Sequence, residues 1–278
     1  MIDIDYKLNI ICPKDGWIIE KMGLQIHKHL RGSTLYYANH PNLYREGGPL
    51  DQEGTINYYL TYILFKGKRR ALDAAWFTHI EEDPHNKHIA DYFIKAARSV
   101  DLAIFNAPKY ENQCKEFTKR SATIIPGVDE KFKLKLNLGI VGREYDYTSR
   151  KNPELAIKLA AIDWLNIEYT KGEIPEEKLP EFYNRQDYTL VLSKVEGGPM
   201  CVLESLAMGK EVIFPRGVGF GEMFYEGLHM YEKDDSDSLS LLLGRLYLQK
   251  MRTREIVEGY TWKSFAEAHH QMFYDLIS

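Results

Sequence analysis

The chain has 278 residues, enough for two domains of roughly 100–150 residues each. Hydrophobic residues make up 44% and charged residues 27%, an ordinary globular balance that excludes a disordered or fibrous chain. The net charge of −4 argues against wholesale nucleic-acid binding, and the three scattered cysteines, Cys12, Cys114 and Cys201, form neither a metal spacing nor a disulfide framework. A reducing cytosol is therefore the expected compartment. The first residues are acidic and lead into a strand, so no secretory signal is read there. The longest apolar run, Tyr58–Phe65, is too short to span a bilayer.

In chain order, Leu8–Cys12 reads as a buried strand, Pro13–Gly16 as the loop after it and Trp17–Leu30 as an amphipathic helix. A glycine between a strand and a helix N-terminus suits a phosphate, which singles out Gly16. Thr34–Ala38 is a second strand. His40–Gly54, rich in proline and glycine, is a long irregular loop of the kind that is usually functional or mobile. Ile56–Phe65 fits helix or strand, and helix is the expectation. The basic residues Lys66, Lys68, Arg69 and Arg70 read as a solvated loop, with docking on anionic lipid as the alternative. Leu72–Thr78 is a strand that leaves His79 at its carboxyl end, where open α/β sheets bind ligands. Glu81, Glu82 and Asp83 read as a cap before the helix Asn86–Arg98. Leu102–Phe105, Lys109–Lys119 and Ala122–Ile125 continue the alternation as strand, helix and strand. Such alternation predicts a doubly wound parallel sheet.

A second set follows the basic segment Lys131–Lys135. Leu138–Val141 is its first strand, closed by Gly142 and Arg143. Lys151 lies just before the helix Glu154–Ile162, where a cation beside a helix start suits a diphosphate. Leu165–Tyr169 is a strand, Lys171-Gly172 a turn and Pro175–Arg185 a helix. The run Gly217–Gly221 has the wrong spacing for a dinucleotide loop. Asp235-Ser236-Asp237 precedes the helix Leu239–Gln249 and reads as a cap rather than a metal motif. The last helix is Lys263–Ile277.

The chemistry concentrates in Leu190–Pro215. Leu190–Leu192 is a strand, Ser193–Gly198 a polar loop, and Pro199 opens a helix. In that helix Met200, Leu203, Leu206 and Ala207 share a face, and Gly209 ends it. Val212–Phe214 is the next strand. Glu196 stands before the helix and Glu204 within it, while the N–H groups of Gly198, Met200 and Cys201 are open donors at its start. Gly197-Gly198 lets a ligand approach the backbone. Anion-binding N–H groups flanked by two hydroxyl-accepting carboxylates suit a sugar nucleotide.

This Glu-x7-Glu segment, with Gly197-Gly198-Pro199 after the first glutamate, resembles the signature of family 4 retaining glycosyltransferases of the GT-B fold. The commoner wording has Gly-Phe-Gly there. Ile125–Asp129 is similar to that family's "PNGVD" junction without the Asn, and Gly142-Arg143 with Lys151 is similar to its "GR…K" pattern. The resemblance is strongest from Ile124 to Ser278. It implies an α/β protein of two Rossmann-like doubly wound domains facing across a cleft. Residues 1–133 would be an unusually short acceptor-binding domain and residues 134–278 the nucleotide-sugar domain, with the last helix crossing back to the first. By the same resemblance Glu196 contacts the donor sugar, Glu204 holds the ribose, and Arg143 and Lys151 neutralise the diphosphate. Gly197, Gly198, Pro199, Met200 and Cys201 line the donor site, and Lys171 meets the base. Gly16 faces the diphosphate, and His79 meets the donor sugar. The implied reaction is metal-independent, retaining transfer from a nucleoside diphosphate sugar to an acceptor hydroxyl. A UDP-sugar is the expected donor, with GDP- and ADP-sugars as alternatives. The acceptor would be a glycan, a lipid-linked sugar or a small molecule, as in polysaccharide biosynthesis. No separate cofactor and no nucleic acid is expected. The place of work would be the cytoplasm, with peripheral contact at the inner face of a membrane as an alternative. The rival readings are a non-catalytic sugar-nucleotide or glycan-binding protein on a degenerate scaffold, and a sugar-nucleotide epimerase.

Overall fold

A computed structural model describes residues 1–143, 150–219 and 221–278. The chain forms two compact units. The first comprises Met1–Phe132 together with Val257–Ser278, and the second Lys133–Ile256.

The first unit is built on six parallel strands. Beside them a small parallel pair joins β1 (Ile2–Asp3) to β3 (Leu30–Arg31). The main sheet contains β2 (Lys7–Cys12), β4 (Thr34–Tyr37), β5 (Thr55–Tyr59), β6 (Leu72–Phe77), β7 (Leu102–Phe105) and β8 (Ser121–Thr123), in the spatial order β4-β2-β5-β6-β7-β8. Period-2 alternation divides these strands between two cores. Ile10, Tyr58, Ala74, Trp76 and Ile104 face one side, and Ile11, Tyr59, Ala75, Phe77 and Phe105 face the other. Helices α1 (Ile18–His29) and α8 (Trp262–Ile277) cover the first side. Helices α2 (Lys87–Ser99) and α3 (Pro108–Cys114) contribute to the second.

Two sequence expectations are corrected here, and a third gains detail. Ile56–Phe65 is strand β5 followed by a short 3-10 turn at Tyr62–Leu64, not a helix. Its residues are buried on both faces, and a strand buried on both faces loses the alternation that would have distinguished it from a helix. The helix expected over Lys109–Lys119 ends at Cys114. The loop His40–Gly54 carries no regular element, yet it is packed: Leu43 and Leu50 are buried in the second core, and Asn9 and Asn57 donate to the carbonyls of Pro49 and Leu50 at 3.0 and 2.7 Å. This loop connects β4 to β5, and the 3-10 turn lies on the connection from β5 to β6.

The cations at 66–70 are partly spent inside the unit. Asp73 has no exposed surface and accepts from Asn57 Nδ2, Tyr59 Oη and Lys68 Nζ at 3.3 Å and from the Arg69 N–H at 3.1 Å. Lys68 also pairs with Asp101, and Arg69 donates to the Tyr44 carbonyl at 3.0 Å. A buried carboxylate is tolerable only when its lone pairs are met in this way.

The second unit repeats the topology. Its parallel strands are β9 (Leu136–Ile140), β10 (Leu165–Tyr169), β11 (Tyr188–Leu190), β12 (Val212–Pro215) and β13 (Leu228–Tyr231), ordered β10-β9-β11-β12-β13. β13 was not anticipated from the sequence. Helices α4 (Pro153–Ala160) and α7 (Ser236–Glu255) pack on one face, and α5 (Leu179–Arg185) and α6 (Met200–Ala207) on the other. The protein is thus α/β with two Rossmann-like doubly wound domains. Among the described residues no helix is long and apolar enough to cross a membrane.

The apolar face assigned to α6 is also corrected. Its buried residues are Cys201, Val202 and Ser205, whereas Met200 and Leu203 are 59% and 36% exposed. The serine turns inward because a partner waits there: Ser205 Oγ donates to Thr189 Oγ1 on β11 at 2.7 Å. A paired hydroxyl is acceptable in a core, and hydropathy alone counts it as outward-facing.

Two consequences can be measured. A Cβ on Gly127 would stand 2.5–2.6 Å from the Thr261 backbone, so Gly127→Ala is expected to cost on the order of 1–3 kcal/mol in chemical denaturation. His269 is fully buried; its Nδ1 faces the Phe265 carbonyl and its Nε2 the Tyr58 hydroxyl, both at 2.8 Å. A donor at Nδ1 and an acceptor at Nε2 make this the neutral imidazole. Burial pushes its pKa down to about 4 from 6.5, against the opposing pull of the Phe265 carbonyl. The unfolded chain therefore takes up the proton first, and stability falls as pH drops from about 6.5 towards 4, by about 3 kcal/mol in all. Urea titrations between pH 7 and 5 should show this slope, and it should flatten in His269→Gln.

Candidate functional site

In the second sheet the strand order reverses at β9, and doubly wound folds take their ligands at the carboxyl ends beside such a switch point. Three adjacent strands end there and deliver three of the singled-out side chains. β9 runs out into Gly142 and Arg143, β10 into Thr170, Lys171 and Gly172, and β11 into the loop that bears Glu196.

The loops are fastened to one another. The N–H of Gly142 donates to Thr170 Oγ1 at 3.1 Å, and the N–H of Thr170 to the Ile140 carbonyl at 2.9 Å. Arg143 is exposed, and the base of its side chain lies against the Lys171-Gly172 turn: a Cβ on Gly172 would meet Arg143 Cβ and Cγ at 3.2 Å. The N–H of Lys194 donates to the Arg150 carbonyl at 2.8 Å, tying the approach to α4 to the loop after β11.

Lys151 and Glu196 form an ion pair in which the Lys151 ammonium donates to Glu196 Oε1. Their side chains are only 18% and 10% exposed. Burial works against the ionised form of Glu196. The Lys151 ammonium and the Ser193 hydroxyl that bond it, with the Arg150 charge nearby, outweigh burial and hold its carboxyl below the usual range. Both partners are thus kept charged in a largely desolvated place, where charge acts at longer range than in water.

Next to this pair the chain enters α6. Gly197 and Gly198 are exposed, Pro199 is the N-cap, and among the described residues no side chain caps the helix, so the first N–H groups of Met200 and Cys201 are suited to an anion. Met200 is exposed and Cys201 buried. Glu204 lies one turn on, half-buried, and accepts from the Tyr183 hydroxyl at 2.5 Å.

The structure therefore brings Arg143, Lys151, Lys171, Glu196, the Gly197–Cys201 segment and Glu204 to one edge of the second sheet. Gly16 and His79 belong to the first unit. Gly16 lies in the loop after β2 with φ +73°, and its N–H donates to Glu20 Oε2 at 2.6 Å. His79 is exposed just beyond β6. Asp235 caps α7 by accepting from the N–H groups of Asp237 and Ser238 at 2.9 Å, and no metal-ligand cluster occurs among the described residues.

Three participants were missed from the sequence. Thr170 and Tyr183 act on site residues through hydroxyls whose partners are remote along the chain. The third is Gly219, in a run set aside as a poor dinucleotide loop, of which Phe220 lies outside the described residues. Gly219 has φ +56°, and a Cβ there would meet the carbonyls of Glu196 and Gly197 at 3.1 Å. Its glycine-rich setting was the available signal. A cavity of about 470 Å³ opens between the starts of α4 and α7, but none of the sequence-predicted site residues lines it. The charged edge beside α6 suits the chemistry better than that cavity does, because it holds the paired and largely desolvated Lys151 and Glu196.

Removing the ammonium exposes the balance at Glu196. In Lys151→Ala the carboxyl of Glu196 should titrate higher than in the parent chain, because burial loses its main opponent. Carboxyl-carbon NMR of labelled glutamate checks this, and an unmoved titration would contradict the pairing.

The sequence profile described as Glycosyl transferases group 1 matches residues 124–262, half of the chain. No curated protein matches. Among solved structures, sucrose-phosphate synthase from Thermosynechococcus elongatus is similar at 12% identity and TM-score 0.42, covering 98% of this chain and 99% of that one. A trehalose-6-phosphate structure from E. coli, bound with UDP-2-fluoro glucose, has 11% identity, TM-score 0.40 and the same coverage. HepE from Anabaena, in complex with UDP, has 11% identity and TM-score 0.32 over 98% of this chain and 96% of that one. Likeness at this level decides nothing about substrate. The profile match over half the sequence does decide the family: the chain belongs to the glycosyl transferases of group 1.

Proposed function

We propose that the protein is a retaining glycosyltransferase of the family 4 type, moving a sugar from a nucleoside diphosphate sugar to an acceptor hydroxyl without a metal ion. The observation that carries this reading is the desolvated Lys151–Glu196 pair beside the uncapped start of α6. A sugar nucleotide presents a diphosphate between two sets of hydroxyls. Here Lys151 pairs with Glu196, and along the chain the first N–H groups of α6 stand between the two hydroxyl-accepting carboxylates, Glu196 and Glu204.

In the proposed reaction the bond between the anomeric carbon and the diphosphate breaks, and the acceptor oxygen bonds to that carbon on the same face. The departing phosphate oxygen takes the acceptor's proton. Negative charge grows on the leaving diphosphate, and Arg143, Lys151 and the α6 N–H groups are the preorganised donors that stabilise it. Glu196 orients the donor sugar and Glu204 the ribose. Lys171 meets the base. UDP-sugars are the first donors to test, then GDP- and ADP-sugars. A glycan, a lipid-linked sugar or a small hydroxylated molecule serves as acceptor, and work in the cytoplasm or at the inner face of a membrane belongs to the same proposal.

Incubation with each nucleoside diphosphate sugar, with and without candidate acceptors, tests the reading. Acceptor-stimulated release of nucleoside diphosphate supports transfer; binding without release favours the non-catalytic alternative; neither binding nor release sinks the proposal. Two variants sharpen it. Glu204→Ala should weaken nucleoside diphosphate binding by on the order of 1–3 kcal/mol, read by calorimetry. Arg143→Ala should weaken binding of the nucleoside diphosphate far more than that of the bare nucleoside, because the charge it meets is on the phosphates.

A further inference from the structure

We infer that Tyr183 is a positioning residue that makes this edge of the sheet a ribose reader: its hydroxyl holds Glu204 so that the other carboxylate oxygen accepts from the sugar diol of a ribonucleoside diphosphate. The inference rests on the reading above, in which Glu204 meets the ribose, and deepens it by naming the residue that sets how sharply Glu204 distinguishes a ribose from a deoxyribose.

The geometry is specific. Tyr183 lies on α5 and is 2% exposed, packed in the core layer that also holds Val202 of α6 and Phe214 of β12. Its hydroxyl donates to Glu204 Oε2 at 2.5 Å. That is the one hydrogen bond or ion pair the Glu204 side chain makes among the described residues, so Oε1 keeps its lone pairs. Burial first, and the Glu204 carboxylate second, push the Tyr183 phenol upward, so it stays a donor at any working pH. A phenol donating to a carboxylate is a charge-assisted bond, the stronger kind.

The platform beneath is fixed as well. Ser205, the next residue, is fully buried and donates to Thr189 on β11 at 2.7 Å, which pins that face of α6 to the sheet. A glutamate free to turn about its side-chain bonds must lose that freedom when it grips a ligand. One already tethered by Tyr183 has lost it on folding, and preorganisation of this kind is gained directly in affinity. The selectivity is chemical: a carboxylate oxygen rewards a ligand that brings a hydroxyl donor and is left unpaired by one that lacks it.

The test compares UDP with 2′-deoxy-UDP, and ADP and GDP with their 2′-deoxy forms, by calorimetry on the full chain. The parent protein should prefer the ribo form of its best ligand roughly tenfold or more. Tyr183→Phe keeps the ring packing and removes one oxygen; its preference should fall towards parity while its affinity for the deoxy form stays nearly unchanged. In a Glu204→Ala background the same substitution should cause no further loss, since Tyr183 acts through Glu204. A merely structural tyrosine would lower both affinities together and leave their ratio intact. If the parent discriminates and Tyr183→Phe discriminates equally, the inference is overturned and the transferase reading stands. If the parent binds nucleoside diphosphates without discrimination, the inference and the ribose role of Glu204 fall together. Absence of any nucleoside diphosphate binding sinks the underlying reading itself.

Discussion

The aromatic stripe of α8 is the contact on which the architecture depends. Trp262, Phe265, His269 and Phe273 are buried against Tyr58 and Trp76 of the first sheet. Aromatic side chains bury the most area per residue, so this face would otherwise leave a large apolar surface in water. Because these residues come from the end of the chain, the first unit is completed by a segment that follows the second in sequence. The two crossings are then fastened. Thr261 approaches Gly127 backbone to backbone, the Val128 N–H donates to the Tyr260 carbonyl at 2.7 Å, and Asp129 accepts from Trp262 Nε1 at 2.7 Å while pairing with Lys21. The stretch that resembles a family junction is thus also a structural latch.

The second unit solves a different problem, holding like and unlike charges near one another without solvent. Lys151 and Glu196 are each too desolvated to stand alone, and removing one partner from a buried pair is far more costly than removing both. The pair is therefore self-consistent before any ligand arrives. An ammonium has three donors, and among the described residues Lys151 uses one of them on Glu196. Tyr183 and Glu204 repeat the device on the neighbouring helix with a neutral donor in place of the cation. In both cases a carboxylate is held by side-chain donors, Glu196 by Lys151 and the Ser193 hydroxyl and Glu204 by the Tyr183 hydroxyl.

The five strands of the second sheet follow the order of the first five in the first sheet, yet the two units differ in how they cover their sheets. In the first, a packed loop and a 3-10 turn replace two helices, and buried Leu43 and Leu50 supply the apolar cover. The carboxyl edge is unaffected, because connections that run back along the face do not alter where strands end. A compact first domain is therefore compatible with a complete set of strand-end loops.

The sequence by itself determined the strand and helix alternation and the β-loop-α-β unit that carries Glu196 and Glu204. These signals are local: apolar runs set strands, Pro199 and Gly209 punctuate α6, and Asp235 caps α7 within a few residues of itself. Tertiary structure alone decided the rest. Ile56–Phe65 became a strand because neighbours cover both its faces, and α6 turned Ser205 inward because Thr189 offers a partner. Lys151 met Glu196 from 45 positions away, and Tyr183 met Glu204 from 21. Hydropathy periodicity reports which residues avoid water. It carries no record of which polar group stands opposite another across a sheet edge, and that pairing is what fixes the charges of the site.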